Sequence, residues 1–412
     1  MPHQACWFSD HGARRRQAWR KRDLRDSALL DFLTTSAFYL IPFVLVLTLV
    51  VFVHEFGHFI VGRWCGVKVD AFSIGFGPEL WSRVDRLGTR WRIASIPLGG
   101  YVSFHGDANA ASAPDPEAVR AMPESERAVT FAAQSVWKRA AIVFAGPFAN
   151  FVLAIAIFAI LFGVYGRTIY APRVGALTPG GAGAAAGFRA GDLVLTVDGA
   201  PVDSFSNLQE IVSSSADKKL IFVIQRGDQQ LTLPVVPALR EVESAIGKIR
   251  IGMLGIQASK AAADIRQERY GPADAVAMGV QETWTVVRRT GNYIGGLVTG
   301  RESADQLSGP IGIAQVSGQM AQAVSKVGIA PLLSLIAILS VSIGLLNLMP
   351  VPLLDGGHLL FFAIEAARGR ALNERAQEVA FRVGLAMVGA LMIFSTYNDI
   401  ARLIHKLTGS GS

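Results

Sequence analysis

Apolar residues gather in four places along the chain, near residues 36–62, 140–165, 331–350 and 383–397, with ordinary polar sequence between them. The first run, Phe38 to Val53, follows the basic stretch RRRQAWRKRDLR and resembles the charged and apolar regions of a signal peptide. No small-residue cleavage site ends it. The pattern continues through HEFGHFIVG into Trp64, long enough to cross a hydrocarbon core of about 30 Å. A basic tail over 1–30 and a retained transmembrane helix over 31–62 are therefore predicted, with a kink at Pro42. A loop over 63–136 follows, in which GFGPELW and LGTRWRIASIPLGGYVSF read as extended segments punctuated by glycine and proline, a β-hairpin. Residues 108–126, rich in Ala, Pro, Asp, Glu and Ser, read as a linker.

The second span is expected over 137–166, interrupted at Gly146 and Pro147, a break tolerated in a membrane helix where neighbouring protein satisfies the freed backbone groups. Residues 168–258 change character. LVLTVDG and LIFVIQRG alternate as strands and SNLQEIVSSS is amphipathic, which makes a small α+β domain. An amphipathic helical linker is predicted over 259–328, a third transmembrane segment over 329–362 and a fourth helix over 376–400. The fold class is thus a polytopic α-helical membrane protein of four spans carrying one inserted soluble domain.

Composition sharpens this picture. The 412 residues are 51% apolar and 17% charged, against about 25% charged in an average soluble chain, and mean hydropathy is +0.37. The formal net charge of +7 sits mostly beside the apolar runs rather than in a stripe interleaved with aromatics, so it reads as bilayer-flanking charge and not as a nucleic-acid footprint. Cys6 and Cys65 are the two cysteines, and they make no disulfide framework.

Chemistry concentrates in the first span. His54, Glu55 and His58 form H-E-x-x-H. A helix turns about 100° per residue, so the two histidines stack on one face as nitrogen ligands for Zn²⁺ while Glu55 projects beside them to accept a proton from water. Chance matches to so short a motif occur in soluble helices. Ionisable side chains within an apolar run cost a few kcal/mol each, however, and point to a functional site or a water-filled cavity. Two imidazoles leave a catalytic zinc one protein ligand short. Asp355, Glu365 and Asp399 are the carboxylates in or beside the later runs. Asp355, in NLMPVPLLDGGH, ranks first as that ligand and His358 is a rival; a helix-capping role is the plainer alternative for Asp355.

HEFGH, then GFGP, LGGYV and AGPFANF, then NLMPVPLLDGGH, in that order from about Phe38 onward, resemble the site-2 protease family of intramembrane zinc metalloproteases. The resemblance implies zinc held by His54, His58 and Asp355, with Glu55 as catalytic base. It implies that GFGP to LGGYV forms a membrane-re-entrant hairpin and that Asn347 lies close to bound substrate. An edge strand there, placed at Arg92, Ile93, Ala94, Ser95 and Ile96, would receive an unwound substrate segment by β-addition; an interfacial anchor is the plainer reading of the hairpin. AGFRAGDLVLTVDGAPV, Ala186 to Val202, resembles the glycine-aspartate turn of bacterial PDZ domains. One copy is visible where the family's closest members carry two.

The resemblance further implies a bacterial inner-membrane, multi-pass endopeptidase with its zinc near the cytoplasmic side and its PDZ domain outside. Its substrates would be single-pass membrane proteins such as anti-sigma factors, together with signal peptide remnants. Its surroundings are the lipid bilayer and no nucleic acid. The basic tail and the basic first loop give conflicting votes on orientation. A catalytically idle PDZ receptor or scaffold would have no use for Glu55, and a metal transporter would want ligands strung along a path.

Overall fold

The computed structural model describes residues 38–107, 121–244, 247–300, 304 and 307–409; the expected basic tail, the start of the first span and most of the 108–126 linker lie outside them. Among the described residues four helices are long and apolar enough to cross a membrane: Phe38–Trp64 (α1), Val136–Tyr165 (α2 with the π turn that ends it), Ala330–Asn347 and Arg375–Ile404. Apolar residues on their outer faces, Leu45, Phe148, Leu385 and Ile393 among them, are exposed, as lipid-facing positions are.

Between α1 and α2 lie β1 (Val69–Val84) and β2 (Arg90–Phe104). They make more than a simple hairpin, because each strand bends at its glycines and doubles back. Gly75 and Gly77 take φ of +88° and Gly99 of +147°, a region open to glycine and strained for other residues. Phe72 consequently pairs with both Val102 and Trp91, Ile74 with both Gly100 and Ile93, and Trp81 also pairs with Ile93. The result is four legs, in the order 79–84, 90–94, 71–74, 100–104. The bend at Pro97 accepts a hydrogen bond of 3.0 Å from Thr48 Oγ1, near the middle of α1. The turn at 85–89 returns to the end of α1, where Arg63 pairs with Asp85. Phe76, Leu80, Trp81, Ile93 and Ile96 leave much of their surface exposed, an apolar outer face on a sheet beside a membrane helix.

After α2 the chain forms a domain of short strands, of which β3 (Arg167–Tyr170) and β4 (Val174–Leu177) come first. A sheet of β5 (Leu193–Val197), β6 (Ala200–Pro201), β7 (Leu220–Arg226) and β8 (Gln229–Val235) runs in the order β6-β5-β7-β8. Together with helix α3 (Phe205–Ser213) it buries Val174, Phe188, Val194, Leu208, Phe222 and Ile224. The Asp198-Gly199 pair turns β5 into β6 with φ of 50° and 82°, the backbone that a two-residue hairpin requires. A strand at Arg167–Tyr170 pairs with one at Ile265–Glu268, so chain entry and exit lie side by side and the domain runs past residue 258.

Within 259–328, where an amphipathic helical linker is expected, the described residues include α4 (Pro272–Val298) and α5 (Pro310–Val327). Gly279 of α4 lies against Ile155 and Ala159 of α2, and Val286 joins Val46, Val50, Ala154 and Ile336 in one apolar cluster. The third segment is divided. Helix α6 (Ala330–Asn347) ends before Pro350 and Pro352, and α7 (Asp355–Arg368) starts at Asp355. Proline removes a helix donor and clashes with the preceding turn. The last helix is α8 (Glu374–Gly409).

Candidate metal centre

His54 and His58 sit one turn apart on α1, both buried, and their Nε2 atoms are 3.2 Å apart. The break between α6 and α7 swings Asp355 onto them: its Oδ2 lies 3.1 Å from His54 Nε2 and 3.5 Å from His58 Nε2. His58 Nδ1 lies 2.9 Å from the carbonyl oxygen of Ile142. A carbonyl can only accept, so Nδ1 carries the proton and Nε2 of the neutral ring offers a lone pair. Asp355 Oδ2 is itself buried with no hydrogen-bond partner. Acceptors packed face to face repel one another unless a cation lies between them. A tetrahedral ion with bonds of about 2.0–2.1 Å sets its ligand atoms about 3.3 Å apart, which is the spacing found. Among the described residues this is the single group of three or more His, Cys, Asp or Glu able to hold a metal.

The rival carboxylates are engaged elsewhere. Glu365 bonds Arg139 at 2.5 Å. Asp399 accepts the amides of Gly309 and Gly312 at 3.1 and 2.9 Å, beside Arg402 at 2.7 Å. His358 borders the same cavity, but its ring packs among Phe361, Phe362 and Phe381.

Backbone approach needs small residues here. A Cβ on Gly146 of α2 would lie 2.3 Å from His58 Nε2, one on Gly356 2.3 Å from the Leu348 and Met349 carbonyl oxygens, and one on Gly357 2.3 Å from that of Val351. Gly146 thus does more than interrupt a helix: it lets α2 lie against the two histidines. Its AGPFANF context in sequence carries no sign of this, since the contact joins residues far apart in the chain.

Glu55, the two histidines, Asp355 and Asn347 line one cavity of about 290 Å³ with Gly100, Tyr101, Val102 and Phe104. The Val102 backbone supplies a hydrogen bond to the Glu55 carboxylate, and Asn347 Nδ2 lies 3.4 Å from His54 Nε2. The Arg92–Ile96 stretch is absent from that lining. The expectation that it offers a free edge is corrected: Arg92 pairs with both Ser73 and Ser82, Ile93 with both Ile74 and Trp81, and Ala94 with Glu79, while Ile96 pairs with Phe76. The Arg92 side chain is also engaged, on Tyr101 at 2.7 Å. The leg that borders the cavity is 100–104, paired along one side with the 69–74 leg.

An H-E-x-x-H helix meeting a distant aspartate inside a bundle of membrane-length helices defines an intramembrane-type metallopeptidase architecture. The comparisons with known proteins agree. The model of peptidase family M50 matches residues 42–391. The chain is 52% identical to the candidate zinc metalloprotease Atu1380 of Agrobacterium fabrum, over 89% of this chain and 96% of that one. It is 40% identical to metalloprotease MmpA of Caulobacter vibrioides, over 88% and 95%, and 31% identical to the regulator of sigma-E protease RseP of Escherichia coli, over 91% and 100%. The chain belongs to peptidase family M50, the site-2 proteases, and is a membrane-embedded zinc metalloprotease. A solved PDZ domain of an SdrC-like protein from Listeria monocytogenes matches 22% of the chain and 85% of its own at 19% identity, with a TM-score of 0.17, a superposition that carries no argument.

Proposed function

We propose that this protease cuts peptide bonds within transmembrane segments of single-pass membrane proteins, with His54, His58 and Asp355 holding the zinc and Glu55 as its base. The observation that carries the reading is the convergence of three metal-ligand atoms at one point, on a span and beside a second carboxylate. A zinc ion held by these residues would lower the pKa of water to roughly 7 and polarise the scissile carbonyl. Glu55 takes the proton from the attacking water as the carbon–oxygen bond forms and delivers it to the amine nitrogen as the carbon–nitrogen bond breaks. Asn347, at the rim between α6 and the Pro350 bend, holds the substrate backbone.

A transmembrane helix hides its amides and must be unwound before any carbonyl reaches the metal. The folded-back sheet is suited to receive it. Pro97 meets α1 at Thr48, near the middle of that helix, and the exposed apolar residues of the sheet support a re-entrant position facing lipid. Leg 100–104 borders the cavity, with its Val102 backbone already bonded to Glu55, and would take the extended segment alongside it as a further strand. We assign the domain after α2 to the PDZ type, on its Ala186–Val202 motif and its helix-and-sheet core. It leaves α2 at Tyr165, the end of the helix opposite to that nearer the metal site. The two lie toward opposite ends of α2, and on the family resemblance we assign the domain to the outside of a bacterial inner membrane and the metal to the cytoplasmic side. Anti-sigma factors and signal peptide remnants are the substrates this reading favours, in keeping with the name of the relative, regulator of sigma-E protease RseP.

The test is a pair of variants assayed on a purified transmembrane substrate with zinc content measured in parallel. Glu55→Gln should abolish cleavage and keep its zinc, since the amide cannot take a proton and no ligand is touched. Asp355→Ala should lose both. Turnover retained by Glu55→Gln, or full zinc in Asp355→Ala, refutes the assigned roles.

A further inference from the structure

The AGPFANF motif of α2 contributes a residue to which the mechanism above gives no part. Asn150 is fully buried, and its carboxamide lies against His54: Nδ2 is 3.3 Å from His54 Nδ1. Its other polar atom, Oδ1, has no hydrogen-bond partner. The residue is fixed from the far side as well, because Ser340 of α6 donates to the Asn150 carbonyl oxygen at 2.8 Å and Gly344 of α6 lies against its Cβ.

The two ends of a carboxamide are nearly the same shape, and rotating it by half a turn exchanges oxygen for nitrogen. The two settings have opposite consequences for His54. If the amide NH₂ faces Nδ1, that nitrogen must accept and Nε2 bears the hydrogen, aimed at His58 Nε2 and Asp355 Oδ2, where a cation would have to sit. If the amide oxygen faces Nδ1, Nδ1–H donates to it and Nε2 turns a lone pair toward the same point as the other two ligand atoms. Only the second setting yields three converging acceptors. His58 has its equivalent anchor in the Ile142 carbonyl oxygen, which accepts from Nδ1; His54 has no backbone carbonyl in that role among its hydrogen bonds, and Asn150 is the group in its place.

We propose that Asn150 is a positioning residue for the metal centre: its Oδ1 accepts from His54 Nδ1–H, fixes the tautomer that ligates through Nε2, and ties the ligand face of α1 to α2 and α6. The proposal rests on the assignment of His54 as a ligand. Groups that anchor a ligating histidine typically contribute 10–100-fold to metal affinity or activity.

The experiment compares full-length wild type, Asn150→Asp and Asn150→Leu, each loaded with Zn²⁺ in detergent and titrated with a competing chelator, with the melting temperature of each metal-free protein measured alongside. Asp keeps an acceptor facing His54, whereas Leu keeps the volume and removes it. Asn150→Leu should bind zinc 10–100-fold more weakly, and Asn150→Asp should stay within a few-fold of wild type. Metal-free melting temperatures should not follow that order, because filling space is served by either side chain. Equal zinc affinity in wild type and Asn150→Leu, or equal losses in Leu and Asp, overturns the positioning role. A wild-type chain that binds no zinc at all would instead overturn the metal-centre assignment on which it stands.

Discussion

A Cβ on Gly146 would stand 2.3 Å from His58 Nε2, 2.5 Å from His58 Cε1 and 3.0 Å from His54 Cε1, so the absence of one methyl group decides whether α2 can lie against the ligands. Alanine at this position gains about 1 kcal/mol in helix propensity and at the same time displaces a ring that the Ile142 carbonyl holds in place. Gly146→Ala is therefore expected to keep the helicity of wild type while zinc affinity falls at least ten-fold, read by circular dichroism and chelator competition on one preparation. Wild-type zinc affinity in this variant would show that the rings can retreat at no cost. At this scale the sequence revealed what one helix can reveal. His54, Glu55 and His58 share a face by spacing, and Asp355 stands out as a carboxylate between helix-breaking prolines and paired glycines. Gly146 and Asn150 were hidden because their contacts cross between helices, and within α2 they read as a helix break and one polar residue.

At the scale of elements the loop after α1 shows how much turns on single bends. Glycine and proline marked it as extended, but alternation along a strand does not say whether the strand doubles back. The positive φ at Gly75, Gly77 and Gly99 converts a hairpin into four legs, moves Arg92 and Ile93 inside the sheet and leaves 100–104 at the cavity. The inserted domain offers a sharper test of local chemistry. Asp192, in the AGFRAGD turn, has almost no exposed side chain; it takes two bonds of 2.7 Å from Arg226 and one of 2.8 Å from the Arg189 amide. Burial alone would raise its pKa, but these donors outweigh it and hold the carboxyl below its ordinary value. Because the folded-state pKa lies below that of the unfolded chain, near 3.9, the contribution is complete above that value and fades as pH falls through the folded-state pKa. Asp192→Asn should destabilise the domain by about 1.5–3 kcal/mol at neutral pH. Hydrogen exchange of β5 and β7 amides in the whole chain should be faster in the variant at pH 7, with the gap narrowing under acid. A gap that is constant down to pH 2, after correction for intrinsic exchange, would remove ionisation from the account.

For the whole molecule, depth is the variable that links the parts. His54 lies ten residues before Trp64 at the end of α1, about 15 Å along a helix, so in the function proposed above the metal site would lie well inside the bilayer. A substrate span reaching it must surrender several helical hydrogen bonds, and in lipid each freed amide costs several kcal/mol unless another backbone takes it up. Leg 100–104 can recover part of this by pairing, and the Val102 backbone already turns toward Glu55. Helix stability therefore enters the barrier for cleavage. Gly and Pro in the substrate span are about 1 and 3 kcal/mol worse than Ala in helix propensity, so either should accelerate cleavage, and replacing such residues by Leu should slow it. Ile93→Pro, which removes an amide from a leg paired on both sides, should collapse the sheet and impair cleavage of stable spans most, at unchanged zinc content. The measurement is a substrate series differing in helix breakers alone, set against a short soluble peptide with the same scissile sequence, which has no helix to open. Breakers should matter in the spans and not in the peptide. Rates in the spans independent of the breakers, or Ile93→Pro indistinguishable from wild type on every span, would place selection somewhere other than unwinding.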